Sequence, residues 1–141
     1  MDKTKVIGNL KGNMAFQMNL DGHTLTTDAS ESIGGNDLGP RPKQLLLAGL
    51  IGCTGIDVVL ILKKMKVEFE DLSIEVEAEN TEELPKVYKN IHLTYRFKGK
   101  NLSRNNIERA VSLSQEKYCG VSAMLKKAAP ITYDIIIEEN S

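Results

Sequence analysis

Two cysteines, two histidines and one aspartate are the residues of this chain whose settings could support chemistry. Cys53 lies deep in the most apolar stretch, Pro42 to Met65, and Asp57 follows it by four residues. On a helix that spacing puts thiol and carboxylate on one face. Cys119 stands far along the chain, between Tyr118 and Gly120, where one helical stretch gives way to another. A thiolate is the reactive form of cysteine, and the free N–H groups at a helix start favour it. Cys119 is placed to gain from that effect. Cys53 gets no such help from the interior of its own helix, and an ionised Asp57 would oppose a thiolate beside it, so a basic partner would have to come from elsewhere. Each cysteine alone reads more readily as a small buried hydrophobe; the pair strengthens the case for thiol chemistry. His23 and His92 fall in strand-like stretches. Two cysteines and two histidines could build a zinc site, but no pair has finger-like spacing, so no metal and no cofactor is expected. A Cys–His pair acting in nucleophilic catalysis needs only spatial proximity. His23, on a hairpin rim, reads as a solvated residue.

The stretch that carries Cys53 is a helix. Pro42 suits a first helical turn, and Pro40 and Pro42 push the residues before them into extended conformations, so the helix starts no earlier than about Pro42. Lys63, Lys64 and Lys66 mark its end. It is far longer than the usual strand of about 5–6 residues. From Leu45 to Leu62 only Thr54 and Asp57 interrupt an apolar surface that runs nearly all round. Such a helix is buried in a core or in a membrane. Asp57 at its middle would be costly in lipid, so the expectation is a central core helix sandwiched between layers. Gly49, Gly52 and Gly55 lie near one helical face, which predicts close packing against another backbone, with room around Cys53 for a small substrate as a compatible second reading.

The remaining elements read as covering layers. Lys3–Asn9 is a strand candidate, and Met14, Phe16, Met18 and Leu20 alternate along a second. Asp21-Gly22 is a two-residue hairpin turn signal, with His23–Asp28 as the return strand. Ala29–Arg41 is a loop whose Gly34-Gly35-Asn36 does not open a helix after a strand, so it is no dinucleotide fingerprint. Leu72–Glu79 and Val87–Phe97 alternate apolar and polar residues as strands. Ser103 caps a helix running to about Lys117, with Ile107, Ala110, Val111 and Ser114 inward. Val121–Lys127 is a short helix and Ile131–Glu138 a closing strand. Strands and helices do not alternate regularly, so the class is α+β. At 141 residues the chain is expected to form one domain, 1–141.

A net charge of −1 without like-charge blocks recommends neither nucleic acid nor an anionic membrane as partner. The charged N-terminus is not followed by an apolar stretch and does not read as a signal peptide, so a cytoplasmic chain is expected. There, two cysteines are a reactive or incidental pair rather than a permanent staple.

The run PRPKQLLLAGLIGCTGIDVVLILKKM, followed later by SQEKYCGVSAMLKKA, resembles the OsmC/Ohr family, and most of all its OsmC-like (YhfA-like) branch. The resemblance covers essentially the whole chain. It implies an OsmC-like α+β fold, a long central helix packed against curved antiparallel sheets, in an interleaved homodimer with active sites at the dimer interface. It also implies thiol-dependent reduction of organic hydroperoxides. Cys53 then matches the peroxidatic cysteine and Cys119 the resolving one, with a hydroperoxide as substrate and a dithiol as reductant. The peroxidase members hold the thiolate with an arginine from an N-terminal loop, and residues 1–40 contain none. They pair that arginine with a glutamate at the position of Lys43, followed here by Gln44. Arg41, Lys43, Gln44 and Asp57 are therefore the candidates for substrate contact or activation. The alternative function is non-catalytic: a dimer that binds an apolar small molecule between its two central helices, or senses redox state.

Overall fold

The computed structural model describes residues 2–140. The chain folds as two compact units divided between Leu47 and Ala48, inside its one long helix.

The first unit is a three-stranded antiparallel meander, β1 (Ile7–Leu10), β2 (Phe16–Leu20) and β3 (His23–Thr27), in the order β1-β2-β3. The β2–β3 turn is Asp21-Gly22, both at positive φ, 52° and 88°, as a tight hairpin of that type requires. Met18 pairs with Leu25, and Phe16 with Thr27. The apolar face of β2 is nevertheless exposed at Phe16 and Leu20, so nothing in this unit covers it. The following loop is organised by Asp28. Its carboxylate accepts from the N–H groups of Ala29 (2.7 Å), Asn36 (3.1 Å) and Leu38 (3.1 Å). Gly39 is required by close approach, since a Cβ there would stand 2.2 Å from the Thr26 carbonyl oxygen.

Helix α1 spans Gln44–Lys64. At its start the Arg41 N–H donates to Gln44 Oε1 (3.0 Å), the returning half of a capping box, with Pro42 in the first turn. At its end Lys66 is left-handed (φ 60°), and the Val67 N–H returns to the Leu62 carbonyl (2.9 Å), which stops the helix.

In the second unit, strands β4 (Asp71–Asn80), β5 (Tyr88–Gly99) and β6 (Ile131–Glu139) form one sheet with β5 central. Strands β4 and β5 are antiparallel, as expected. Strand β6 joins β5 in parallel, because the helical segment between them carries the chain back to the starting end before β6 begins. The core gathers Ile91, Leu93, Tyr95 and Phe97 of β5, the α1 stripe Leu50, Val58 and Leu62, and Ile107, Ala110 and Val111 of α2 (Arg104–Leu113). Ser103 caps α2 by accepting from the Asn106 N–H (3.3 Å). The expected α-helix to Lys117 ends at Leu113. It widens into a π turn, Ser114–Tyr118, closed by Cys119 N–H to Ser114 C=O (2.8 Å), before the short α3 (Gly120–Leu125).

Within the second unit, α1 is covered on one side only, not sandwiched. One stripe, Leu50, Thr54, Val58 and Leu62, is buried, while Ile56 and Leu60 on the other side are exposed. Added Cβ atoms at Gly49 and Gly52 would meet nothing within 4 Å, so the expected backbone packing there is absent from the described residues. The helix is long and apolar enough to cross a membrane by length and composition, and only 22% of its apolar window is buried.

Candidate functional site

Four residues apart on α1, Cys53 and Asp57 occupy one face beside the buried stripe, and both are half-buried. The π turn and the start of α3 bring Cys119 to them. The two sulfurs and an Asp57 carboxylate oxygen all lie within 4.8 Å of one another. Both cysteines are free thiols, and Cys119 is only 3% exposed.

Cys119 is the N-cap of α3, and its Sγ accepts from the Ser122 N–H (3.3 Å). The helix-start geometry expected from sequence is therefore present. The thiolate it was expected to favour is not, because burial outweighs that one N–H and pushes the Cys119 thiol up to about 11, with Cys53 and Asp57 adding to the rise. A six-residue helix supplies little dipole against full desolvation.

Behind the sulfurs runs a buried polar network. Ser114 Oγ donates to Asp57 Oδ2 (2.9 Å) and meets Thr54 Oγ1 at 2.7 Å. Thr54 Oγ1 meets the Tyr95 hydroxyl at 2.7 Å, and Gln115 Nε2 donates to that hydroxyl (2.7 Å). Gln115 Oε1 accepts from Ser122 Oγ (2.8 Å), which returns the network to the turn that carries Cys119. The π turn makes this possible, since its extra residue directs both Ser114 and Gln115 inward. Burial raises the pKa of Tyr95, so its hydroxyl stays protonated. No buried side-chain nitrogen or oxygen among the described residues lacks a partner. Asp57 thus has a hydroxyl, that of Ser114, as its hydrogen-bond partner.

A cavity of about 430 Å³ opens beside Asp57, with Leu60, Ile61 and Leu113 as apolar walls and Lys64 and Arg109 as cations. A second, apolar groove of about 600 Å³ follows α1 and β4 past Ile51, Ile56, Phe69 and Ile74. His92 lies elsewhere, on the sheet, between Thr132 Oγ1 (2.6 Å from Nδ1) and Asp134 Oδ2 (3.1 Å from Nε2). His23 is an exposed residue of β3. Sequence reasoning missed Gln115, Tyr95, Ser122, Lys64 and Arg109. The available signal was Ser114, a polar residue on the inward face of α2.

A family model described as OsmC-like protein matches residues 34–134. Protein YhfA of Escherichia coli K12 is 37% identical over 112 residues, covering 79% of this chain and 81% of its own. The chain belongs to the OsmC-like family. A solved structure from Aquifex aeolicus VF5 matches with a TM-score of 0.83 at 31% identity, covering 98% of this chain and 99% of that one. The organic hydroperoxide resistance protein OhrB of Bacillus subtilis shares the fold, with a TM-score of 0.65 at 20% identity over 95% of this chain and 98% of its own.

The remaining candidates of this OsmC-like chain are engaged in its first unit. The Arg41 guanidinium donates to the Asp28 (3.1 Å) and Gly39 (3.0 Å) carbonyls and pairs with the Asp37 carboxylate. Gln44 serves the capping box of α1, and Lys43 is half-buried.

Proposed function

We propose that the chain is a homodimeric, thiol-dependent peroxidase that reduces organic hydroperoxides, with Cys53 attacking and Cys119 resolving. The observation that carries this reading is the pair of unbonded sulfurs within 4.8 Å of each other in a chain of this family. The Cys53 thiolate attacks the O–O bond of ROOH. It becomes a sulfenic acid, and the alkoxide leaves and takes a proton to give ROH. The Cys119 thiol displaces water from that sulfenic acid and forms a disulfide. An external dithiol restores both thiols by exchange and is itself oxidised. Burial raises the Cys119 pKa to about 11, so this thiol must give up its proton as it attacks, and the departing hydroxide takes that proton to leave as water. Lys64 and Arg109, lining the cavity beside Asp57, are the cations of this unit that supply positive potential on that side.

The name of the Bacillus subtilis neighbour supports a hydroperoxide as substrate class. The exposed outer face of α1 supports a second copy of the chain as its cover. We read residues 1–141 as one OsmC-like domain, since the family match crosses from one unit into the other, and we place it in the cytoplasm, where dithiol reductants are available. The apolar groove of about 600 Å³ favours a second reading, non-catalytic binding of an apolar small molecule.

Stoichiometric cumene hydroperoxide separates the two. The peroxidase reading expects loss of two thiols per chain and an intrachain disulfide. Cys119→Ser stops at a Cys53 sulfenic acid that dimedone traps, and Cys53→Ser consumes no peroxide above background. If Cys119→Ser gives no dimedone adduct while a small alkylating agent reaches Cys53, the binding reading takes its place.

A further inference from the structure

We propose that the reduced site is a metal site, in which Cys53, Asp57 and Cys119 hold one borderline-soft divalent cation of the zinc class. The three ligand atoms come from two elements that converge independently of each other. Cys53 and Asp57 are one helical turn apart on α1, so a single face presents a sulfur and a carboxylate oxygen together. Cys119, at the start of α3, supplies the third atom. All three lie within 4.8 Å of one another.

That spacing is close to what a cation needs. Two sulfurs bound tetrahedrally at the usual zinc–sulfur distance of roughly 2.3 Å stand about 3.8 Å apart. The sulfur pair therefore has to close by at most about 1 Å and each sulfur–oxygen pair by at most about 1.2 Å, within the reach of side-chain rotation. Two sulfurs and one carboxylate select zinc, cobalt or cadmium over calcium or magnesium, which require oxygen ligands.

The outer contacts fit as well. Ser114 Oγ donates to Asp57 Oδ2, and the Ser122 N–H points at Cys119 Sγ, the kind of hydrogen bonds that orient metal ligands and disperse their charge. Asp57 also lines the cavity of about 430 Å³, which gives a path to the carboxylate side of the site past Lys64 and Arg109. The metal and the disulfide use the same sulfurs, so they exclude each other.

Cobalt(II) titration of the reduced full-length chain tests the site without any peroxide, so its outcome is independent of the peroxidase reading. The expected result is one cobalt per chain with thiolate-to-cobalt charge-transfer absorption, displaced by zinc. Cys53→Ser and Cys119→Ser should each lose about half the charge-transfer intensity and bind more weakly. Asp57→Asn should keep the absorption and weaken binding by at least about tenfold, the low end of what even outer-shell changes cause. Should a cysteine variant lose its fold by circular dichroism, the near-isosteric Asp57→Asn variant still decides. Absence of charge transfer from wild type with two titratable thiols overturns the proposal, and so does an unchanged affinity in Asp57→Asn.

Discussion

Asp57 would destabilise an apolar helix if nothing answered its polarity, and the Ser114 hydroxyl answers it at 2.9 Å. The same hydroxyl meets Thr54 Oγ1 at 2.7 Å, so its removal takes the partner of Asp57 and one of those of Thr54, which keeps the Tyr95 hydroxyl. Ser114→Ala is expected to cost about 1–3 kcal/mol, read as a lower urea midpoint with an unchanged slope. Stability equal to wild type would show that Asp57 is held by other means. Asp28 is a second carboxylate whose setting can be tested, this time through pH. The Leu38 N–H, helped by those of Ala29 and Asn36 and by the Arg41 guanidinium, holds its carboxyl below the usual 3.8 against the opposing effect of burial. The unfolded chain therefore takes this proton at a higher pH than the folded one. The stability contributed is fully present above the unfolded value and is lost as pH falls through the folded one. Urea unfolding at stepped pH should show wild-type stability falling as pH drops below about 4, with Asp28→Asn falling less steeply. Parallel slopes would exclude Asp28 as a source of acid sensitivity.

At the scale of elements, what was legible followed from local rules. Asp21-Gly22 demanded a tight hairpin whatever surrounded it, and the alternation of β4 and β5 named their inward faces, Ile91, Leu93, Tyr95 and Phe97 among them. Helix α1 was legible as a helix, but its buried side was not. An apolar surface on nearly every face carries no direction, and the stripe through Leu50, Thr54, Val58 and Leu62 is chosen by partners such as Tyr95. The π turn was hidden for a related reason. Nothing in Ser114–Tyr118 forbids an α-helix, and the extra residue is stabilised by tertiary bonds from Ser114 and Gln115. The thiol pair was readable through the resemblance of its two sequence blocks. Its electrostatics were not, because the favourable helix start at Cys119 is a local feature and the burial that outweighs it is a property of the whole core.

At the scale of the whole molecule, apolar surface is left over in each unit. In the first, Ile7, Leu10 and Phe16 are exposed; in the second, Ile56 is 64% and Leu60 53% exposed on α1. Large apolar surface left open on a single chain marks an interaction site, and homodimer interfaces are more apolar than ordinary surface. Gly49 and Gly52 lie open on α1, so another backbone could approach it closely. The second copy of the chain proposed above would cover these surfaces. Wild type is therefore expected to sediment as a dimer at micromolar concentration, and a folded monomer there would overturn that. Ile56→Lys places a charge at the middle of the open face of α1, far from the buried stripe, so it should leave the fold of the chain intact while opposing association. The expected outcome is a shift toward monomer by sedimentation equilibrium, with circular dichroism reporting whether the isolated chain keeps its helix. If Ile56→Lys associates as tightly as wild type, the outer face of α1 is not the interface, and the exposed face of the first sheet becomes the surface to change next.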